Sequence, residues 1–205
     1  MEKENISKSG IERKGPLRKM KVIEICNVIA GPFCAGLFAD YGAEVIKIEM
    51  PKGGDPVRGF GPKEKGESLR WPSMGRNKTC VTLDLRADEG KKLFFKLIKD
   101  TDIVIENFKP GVIEKWGIGY DKMKEINPKI VLVRISGYGQ SGPYKFKPGF
   151  GTSGTAFSGY TALHGFEGLP PVSPAISLAD FAAGLFGFIG GLSAVSAILN
   201  GTESE

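Results

Sequence analysis

Between Met20 and Glu49 the chain passes from a short β-branched segment (Met20–Ile25) through a turn and a helix into a second alternating segment (Glu44–Glu49). A strand, a helix and a strand within about thirty residues make a βαβ unit, and that connection leaves only a parallel pairing for the two strands. Gly31-Pro32 puts proline where a first helical turn tolerates it, Phe33–Tyr41 reads as the helix, and Gly42 suits its stop. The alternation continues with Cys80–Leu85 as a strand, Asp88–Lys99 as an amphipathic helix and Asp102–Glu106 as a strand. Pro110–Trp116 and Tyr120–Ile126 then read as short helices before the strand Ile130–Ile135. The expected fold class is α/β, a Rossmann-like parallel sheet with helices on both faces.

Ligands of such sheets collect beyond the carboxyl ends of the strands, so the loops after Ile25, Glu49, Glu106 and Ile135 are the places to look. Pro51–Arg58, Asn107–Gly111 and Ser136–Pro143 combine glycine or proline with polar or basic residues. Backbone amides in such turns approach phosphate oxygens closely. No GxGxxG follows the first strand and no GxxxxGK[ST] occurs, which weakens dehydrogenase and P-loop functions. A net charge of +5 suits an anionic small molecule better than nucleic acid. Cys26, Cys34 and Cys80 have no metal-like spacing and there is a single histidine, so no metal site is expected; buried free thiols in a reducing cytoplasm fit better. Residues 1–19 are charged and broken by Gly10, Gly15 and Pro16, and are expected to be a disordered extension.

Phe181–Leu199 carries no charge, and Gly187 with Gly191 gives a GxxxG spacing. The length suffices for a membrane span. Many glycines and serines and no flanking basic cluster favour instead a buried helix whose small residues allow close packing, and no membrane association is expected. Asp180 opens this run. Ser177-Leu178-Ala179-Asp180 has the form of a capping box, which would make Asp180 a helix cap. A carboxylate at the edge of an apolar helix is also partly desolvated and a better nucleophile. The residues alone leave both roles open.

Several segments in order resemble the class III CoA-transferases, whose fold the α-methylacyl-CoA racemases share. They are Lys21–Ile25 with Ala30-Gly31-Pro32, Gly42–Glu49, Gly53–Pro56 with Arg58, and Asn77-Lys78 with Leu83–Leu85. Glu89-Gly90, Glu106–Pro110, Ser136–Tyr138 with Gly142-Pro143, and Ser177–Ala183 complete the set. The resemblance implies an acyl-CoA:carboxylate CoA-transferase with coenzyme A as co-substrate and no metal, a cytoplasmic homodimer of interlocked chains. Asp180 would be the nucleophile, passing through an aspartyl-CoA thioester. Val28, Ala30, Leu83, Arg86, Asn107, Phe108, Lys115 and Lys147 would be the CoA-binding positions, with Lys115 standing where relatives have arginine.

Three departures qualify the resemblance. Met50 replaces an arginine of formyl-CoA transferase, whose part Lys52 or Arg58 is expected to take instead. The racemases have a GHD-type motif where this chain has Pro148-Gly149-Phe150-Gly151, and the sole histidine, His164, lies in a glycine- and proline-rich loop; transferase is favoured over racemase. Family members are roughly twice as long, so residues 20–205 are expected to be the amino-terminal, incomplete portion of the large domain. A non-catalytic CoA-binding remnant is the further alternative.

Overall fold

Side-chain alternation along the strands decides the layering of this molecule. The computed structural model describes residues 13–202. Its elements in chain order are β1 (Lys21–Glu24), α1 (Ala30–Asp40), β2 (Glu44–Glu49), β3 (Lys63–Glu64), β4 (Glu67–Ser68), α2 (Trp71–Gly75), β5 (Lys78–Thr82) and α3 (Asp88–Ile98). They continue as β6 (Ile103–Glu106), α4 (Val112–Lys115), α5 (Tyr120–Ile126), β7 (Val131–Arg134), α6 (Gly151–Phe157) and α7 (Leu178–Leu199). One five-stranded sheet runs β5-β2-β1-β6-β7 with every neighbour parallel, and β3 and β4 form a separate hairpin. The first strand is central, with Val22 opposite both Val45 of β2 and Ile103 of β6. The winding direction reverses between β1 and β6, which opens a crevice there at the carboxyl ends of the strands.

Successive strand residues point to opposite faces. Val22, Val45, Ile103 and Ile105 meet Phe38 of α1 and Phe188 of α7 on one side. Ile23, Ile25, Ile48 and Val104 meet Phe94 and Ile98 of α3 and Met123 of α5 on the other. Burial on both faces explains why the strands are nearly continuous apolar runs.

α7 lies along α1 at close range. A Cβ at Gly184 would stand 2.7 Å from the Ala30 carbonyl oxygen, so glycine is required for the approach. Phe38 and Phe188 meet edge-on with centroids 4.7 Å apart. Only this side of the helix is covered. Gly184, Phe188 and Gly191 are buried, whereas Phe186 is 72% and Ile189 49% exposed. The buried helix expected from the sequence is therefore buried on one face, and among the described residues it is the one helix long and apolar enough to cross a membrane.

Other expectations are corrected in detail. Of the extension placed at 1–19, residues 1–12 lie outside the described residues, but the chain is tied into the fold from Arg13 onward. Arg13 Nη1 donates to the Ala43 carbonyl (3.1 Å), Leu17 N donates to the Tyr41 carbonyl (3.0 Å), and Leu17 and Met20 pack on the core. β5 pairs with β2 over Lys78–Thr82 rather than Cys80–Leu85, because the buried ammonium of Lys78 fixes its first residue. All three cysteines are free; Cys26 and Cys34 are buried, but Cys80 is exposed on the edge strand. Burial, with Glu24 adding to it, pushes the Cys34 thiol up to about 12.

Candidate active site

The crevice rests on charges placed where the strands are otherwise apolar. Glu24 at the end of β1 is fully buried and sits between two ammonium groups, Lys47 of β2 at 2.6 Å and Lys78 of β5 at 2.7 Å. Lys47 also pairs with Asp55 (2.8 Å) and donates to the Cys26 carbonyl (2.9 Å), and Lys78 donates to the Pro32 carbonyl (2.7 Å). Burial works to lower the pKa of Lys47, but Glu24 and Asp55 outweigh it and hold the ammonium above its ordinary range. Asp55 Oδ1 in turn accepts from Val28 N (3.1 Å) and Val57 N (3.0 Å). Val28 has φ 71°, a left-handed conformation that a β-branched residue adopts only under constraint. The Asp55 bond supplies part of that constraint, so buried ion pairs shape the turn that lines the site.

Val28, Ala30, Asn107, Phe108 and Asp180 come from three separate segments and together line one cleft of about 280 Å3. Asn107 acts largely within the protein: its Oδ1 accepts from Asn27 N (2.9 Å) and its Nδ2 donates to the Asn27 carbonyl (2.7 Å). The side chain thus prolongs the β1–β6 pairing past the strand ends. Phe108 packs edge-on against Trp116 at 4.9 Å, and its N–H donates to Glu106 (2.7 Å). Burial raises the Glu106 carboxyl above its ordinary range despite a 2.7 Å bond from Arg134.

Asp180 is the third residue of α7 and is half-buried. Ser177 occupies the N-cap position without a side-chain cap hydrogen bond, so the capping box expected from the sequence is not formed. Among the described residues no cation pairs with the Asp180 carboxylate. Burial raises its pKa above the ordinary aspartate range, with its own N–H acting the other way. The start of α6 closes over it: a Cβ on Gly151 would lie 2.2 Å from Asp180 Oδ2, so any larger residue there would displace the carboxylate. A second cavity of about 570 Å3 opens on the far side, and Val28, Ile29, Phe150, Gly151 and Asp180 line both. The carboxylate stands where the two spaces meet.

Leu83, Arg86, Lys115 and Lys147 line neither cavity. Leu83 N donates to the Glu49 carbonyl (2.9 Å), and its side chain packs beside the α3 core. Arg86 pairs with Asp84 at 3.0 Å, Lys115 is exposed on α4, and Lys147 stands 3.8 Å over the Tyr144 ring. Of the two residues expected to take the part of an arginine at position 50, Lys52 lines neither cavity, and Arg58 is held by Glu49 at 2.8 Å and stacks on Trp71 at 3.6 Å, so its guanidinium is already engaged. His164 lies outside both cavities, with Nδ1 3.1 Å from the Tyr160 carbonyl oxygen. Phe150 and Gly151 beside Asp180 are legible in the sequence only as the absence of a GHD motif; Lys47, flanked by isoleucines, is the one visible sign of the ionic floor.

The family model for CoA-transferase family III matches residues 17–202. The chain belongs to CoA-transferase family III. Among curated proteins, this family III chain is 45% identical over 181 residues to the succinyl-CoA–D-citramalate CoA-transferase of Chloroflexus aurantiacus, covering 88% of the chain and 45% of that relative. It is 46% identical over 182 residues to the succinyl-CoA–L-malate CoA-transferase beta subunit of the same organism, with 88% and 45% covered. Among solved structures it resembles a CAIB/BAIF family protein from Brucella suis at a TM-score of 0.87 and 33% identity, over 93% of the chain and 52% of that protein. The chain spans about half the length of these relatives, 45% of each of the two curated ones.

Proposed function

We propose that this family III chain carries the nucleophile and much of the coenzyme A cleft of an acyl-CoA:carboxylate CoA-transferase that works through an aspartyl-CoA thioester at Asp180. The observation that carries the proposal is a half-buried carboxylate, without an ion-pair partner among the described residues, shared by two cavities. Loss of hydration without a neutralising partner favours nucleophilic attack. In the first step an Asp180 oxygen attacks the thioester carbon of the donor, giving a mixed anhydride and CoA thiolate. The thiolate attacks the aspartyl carbonyl, forming the enzyme thioester and releasing the donor acid. The acceptor carboxylate then attacks the aspartyl thioester, expelling the thiolate, which takes the new acyl group from the second anhydride and frees Asp180. One difficult exchange becomes a series of easier ones.

Coenzyme A would enter by the cleft of Val28, Ala30, Asn107 and Phe108, leaving the larger cavity for the acid. Leu83, Arg86, Lys115 and Lys147 then mark an outer path along which the basic members suit phosphates. The names of the two relatives support short dicarboxylic acids as the exchanged substrates. The proposed partner is a second copy of the chain in the cytoplasm, interlocked as the family resemblance implies, and the uncovered apolar face of α7 supports such a covering surface.

The test is mass spectrometry of the chain after incubation with succinyl-CoA, quenched with hydroxylamine or borohydride. A modification at Asp180 that is absent from Asp180→Asn supports the mechanism. A folded chain that binds CoA but never acquires it would falsify the proposal.

A further inference from the structure

The larger cavity has two charged residues in its lining, Asp180 and Arg70. The Arg70 guanidinium makes no ion pair or side-chain hydrogen bond among the described residues, in contrast to Arg58, which is occupied by Glu49 and Trp71. Its backbone is nevertheless fixed. Arg70 N donates to Ser68 Oγ (3.1 Å), and that hydroxyl donates to the Phe60 carbonyl (2.6 Å). The stem runs over Gly61, where a Cβ would come within 3.1 Å of Arg70 Nε. Among the described residues, Arg70, just past β4 at the N-cap position of α2, therefore presents an unpaired cation to a cavity whose one anion is the proposed nucleophile.

We infer that Arg70 is the specificity-determining residue for a dicarboxylic acid, binding the remote carboxylate while the reacting carboxyl or thioester carbon faces Asp180. This rests on the transferase proposal for the direction in which the acid lies. The planar guanidinium fork matches a carboxylate through two parallel hydrogen bonds. Ser73, Thr152, Ser173 and Ser177 add hydroxyls to the same lining, which suits acids bearing a hydroxyl between the two carboxyl groups. A monocarboxylic acid of the same length leaves Arg70 without a partner and gains nothing from it.

The experiment compares succinate with butyrate, and succinyl-CoA with butyryl-CoA, on the wild-type chain, Arg70→Gln and Arg70→Lys. Binding of the acids is read by calorimetry and labelling of Asp180 by mass spectrometry. Expected is a wild-type preference for succinate that falls about tenfold or more in Arg70→Gln, the scale of a hydrogen bond to a charged group. Butyrate and CoA binding should stay unchanged, with partial recovery in Arg70→Lys. Equal loss for both acids, no preference in the wild type, or weakened CoA binding in Arg70→Gln overturns the assignment. The two failures are separable. Equal labelling by both donors, unaffected by the substitution, removes Arg70 and leaves the transferase standing. Succinate preference through Arg70 without any adduct removes the transferase and leaves the dicarboxylate subsite.

Discussion

Two neighbouring regions treat buried carboxylates in opposite ways. Beneath the crevice, Glu24 lies between two lysines and Asp55 pairs with one of them while accepting two backbone N–H bonds. At the mouth, Asp180 has no cation among the described residues and faces open space on both sides. Charges that hold the frame are neutralised by fixed partners, because an unpaired ion in the interior is strongly destabilising. The group proposed to react is left without one, so nothing offsets the rise in pKa that burial causes and its lone pairs stay available. Pairing therefore separates the scaffold from the chemistry more clearly than burial does.

The contrast can be broken from either side. The largest effect is expected from Asp180→Asn: the acyl adduct disappears and transfer falls on the order of a thousandfold or more, with CoA affinity retained, as assayed by labelling and equilibrium binding. Glu24→Ala leaves the buried Lys78 without its carboxylate and Lys47 with Asp55 alone, and urea denaturation should show a loss of about 3–5 kcal/mol. Glu24 does not touch either cavity, so this loss should appear in stability before it appears in chemistry. Gly151→Ala places a methyl group against Asp180 Oδ2 and should cost about a hundredfold in labelling rate with little change in melting temperature. If stability falls instead and the rate holds, Gly151 serves the fold rather than the site.

The smallest effect sharpens the comparison through pH. Burial raises the Asp180 pKa in the folded chain, so the folded state holds its proton more tightly than the unfolded state does. Stability contributed by the protonated group is present below the unfolded value, about 3.9 for aspartate, and is lost as pH rises through the folded pKa. Asp180→Asn should therefore melt higher than the wild type at neutral pH, and that advantage should vanish below the ordinary aspartate range. Labelling needs the carboxylate, so its rate should fall on acidification at a higher pH than a solvated aspartate would give.

Where side-chain period is strong, the fold can be read from the residues. Val22-Ile23 and Ile103–Ile105 fit strands buried on both faces, and the uninterrupted Phe181–Leu199 fits a long helix. Residues that act through partners are less legible. Lys47 within Val45–Ile48 looks like part of a motif, and nothing in the sequence shows that Glu24, Asp55 and Lys78 converge with it. The hairpin of β3 and β4, α2 and α6 are too short to carry a period, which hides both Arg70 and the glycine that fits over Asp180. Position in space, not residue type, decides that Val28, Ala30, Asn107 and Phe108 share the cleft while Arg86, Lys115 and Lys147 lie outside it.

The paired hydrogen bonds between Asn27 and Asn107 join positions 80 residues apart and lock the central strand to its second neighbour. On a ribosome adding ~5–20 residues per second, Asn107 emerges about 4–16 s after Asn27. For most of that interval the nascent chain contains β1 and β2 but has no β6 to cover the other side of β1. An open strand edge of apolar residues is the stage at which wrong pairings form. Chaperone contact during translation should accordingly concentrate before residue 107 is exposed and decline once the central strand is flanked.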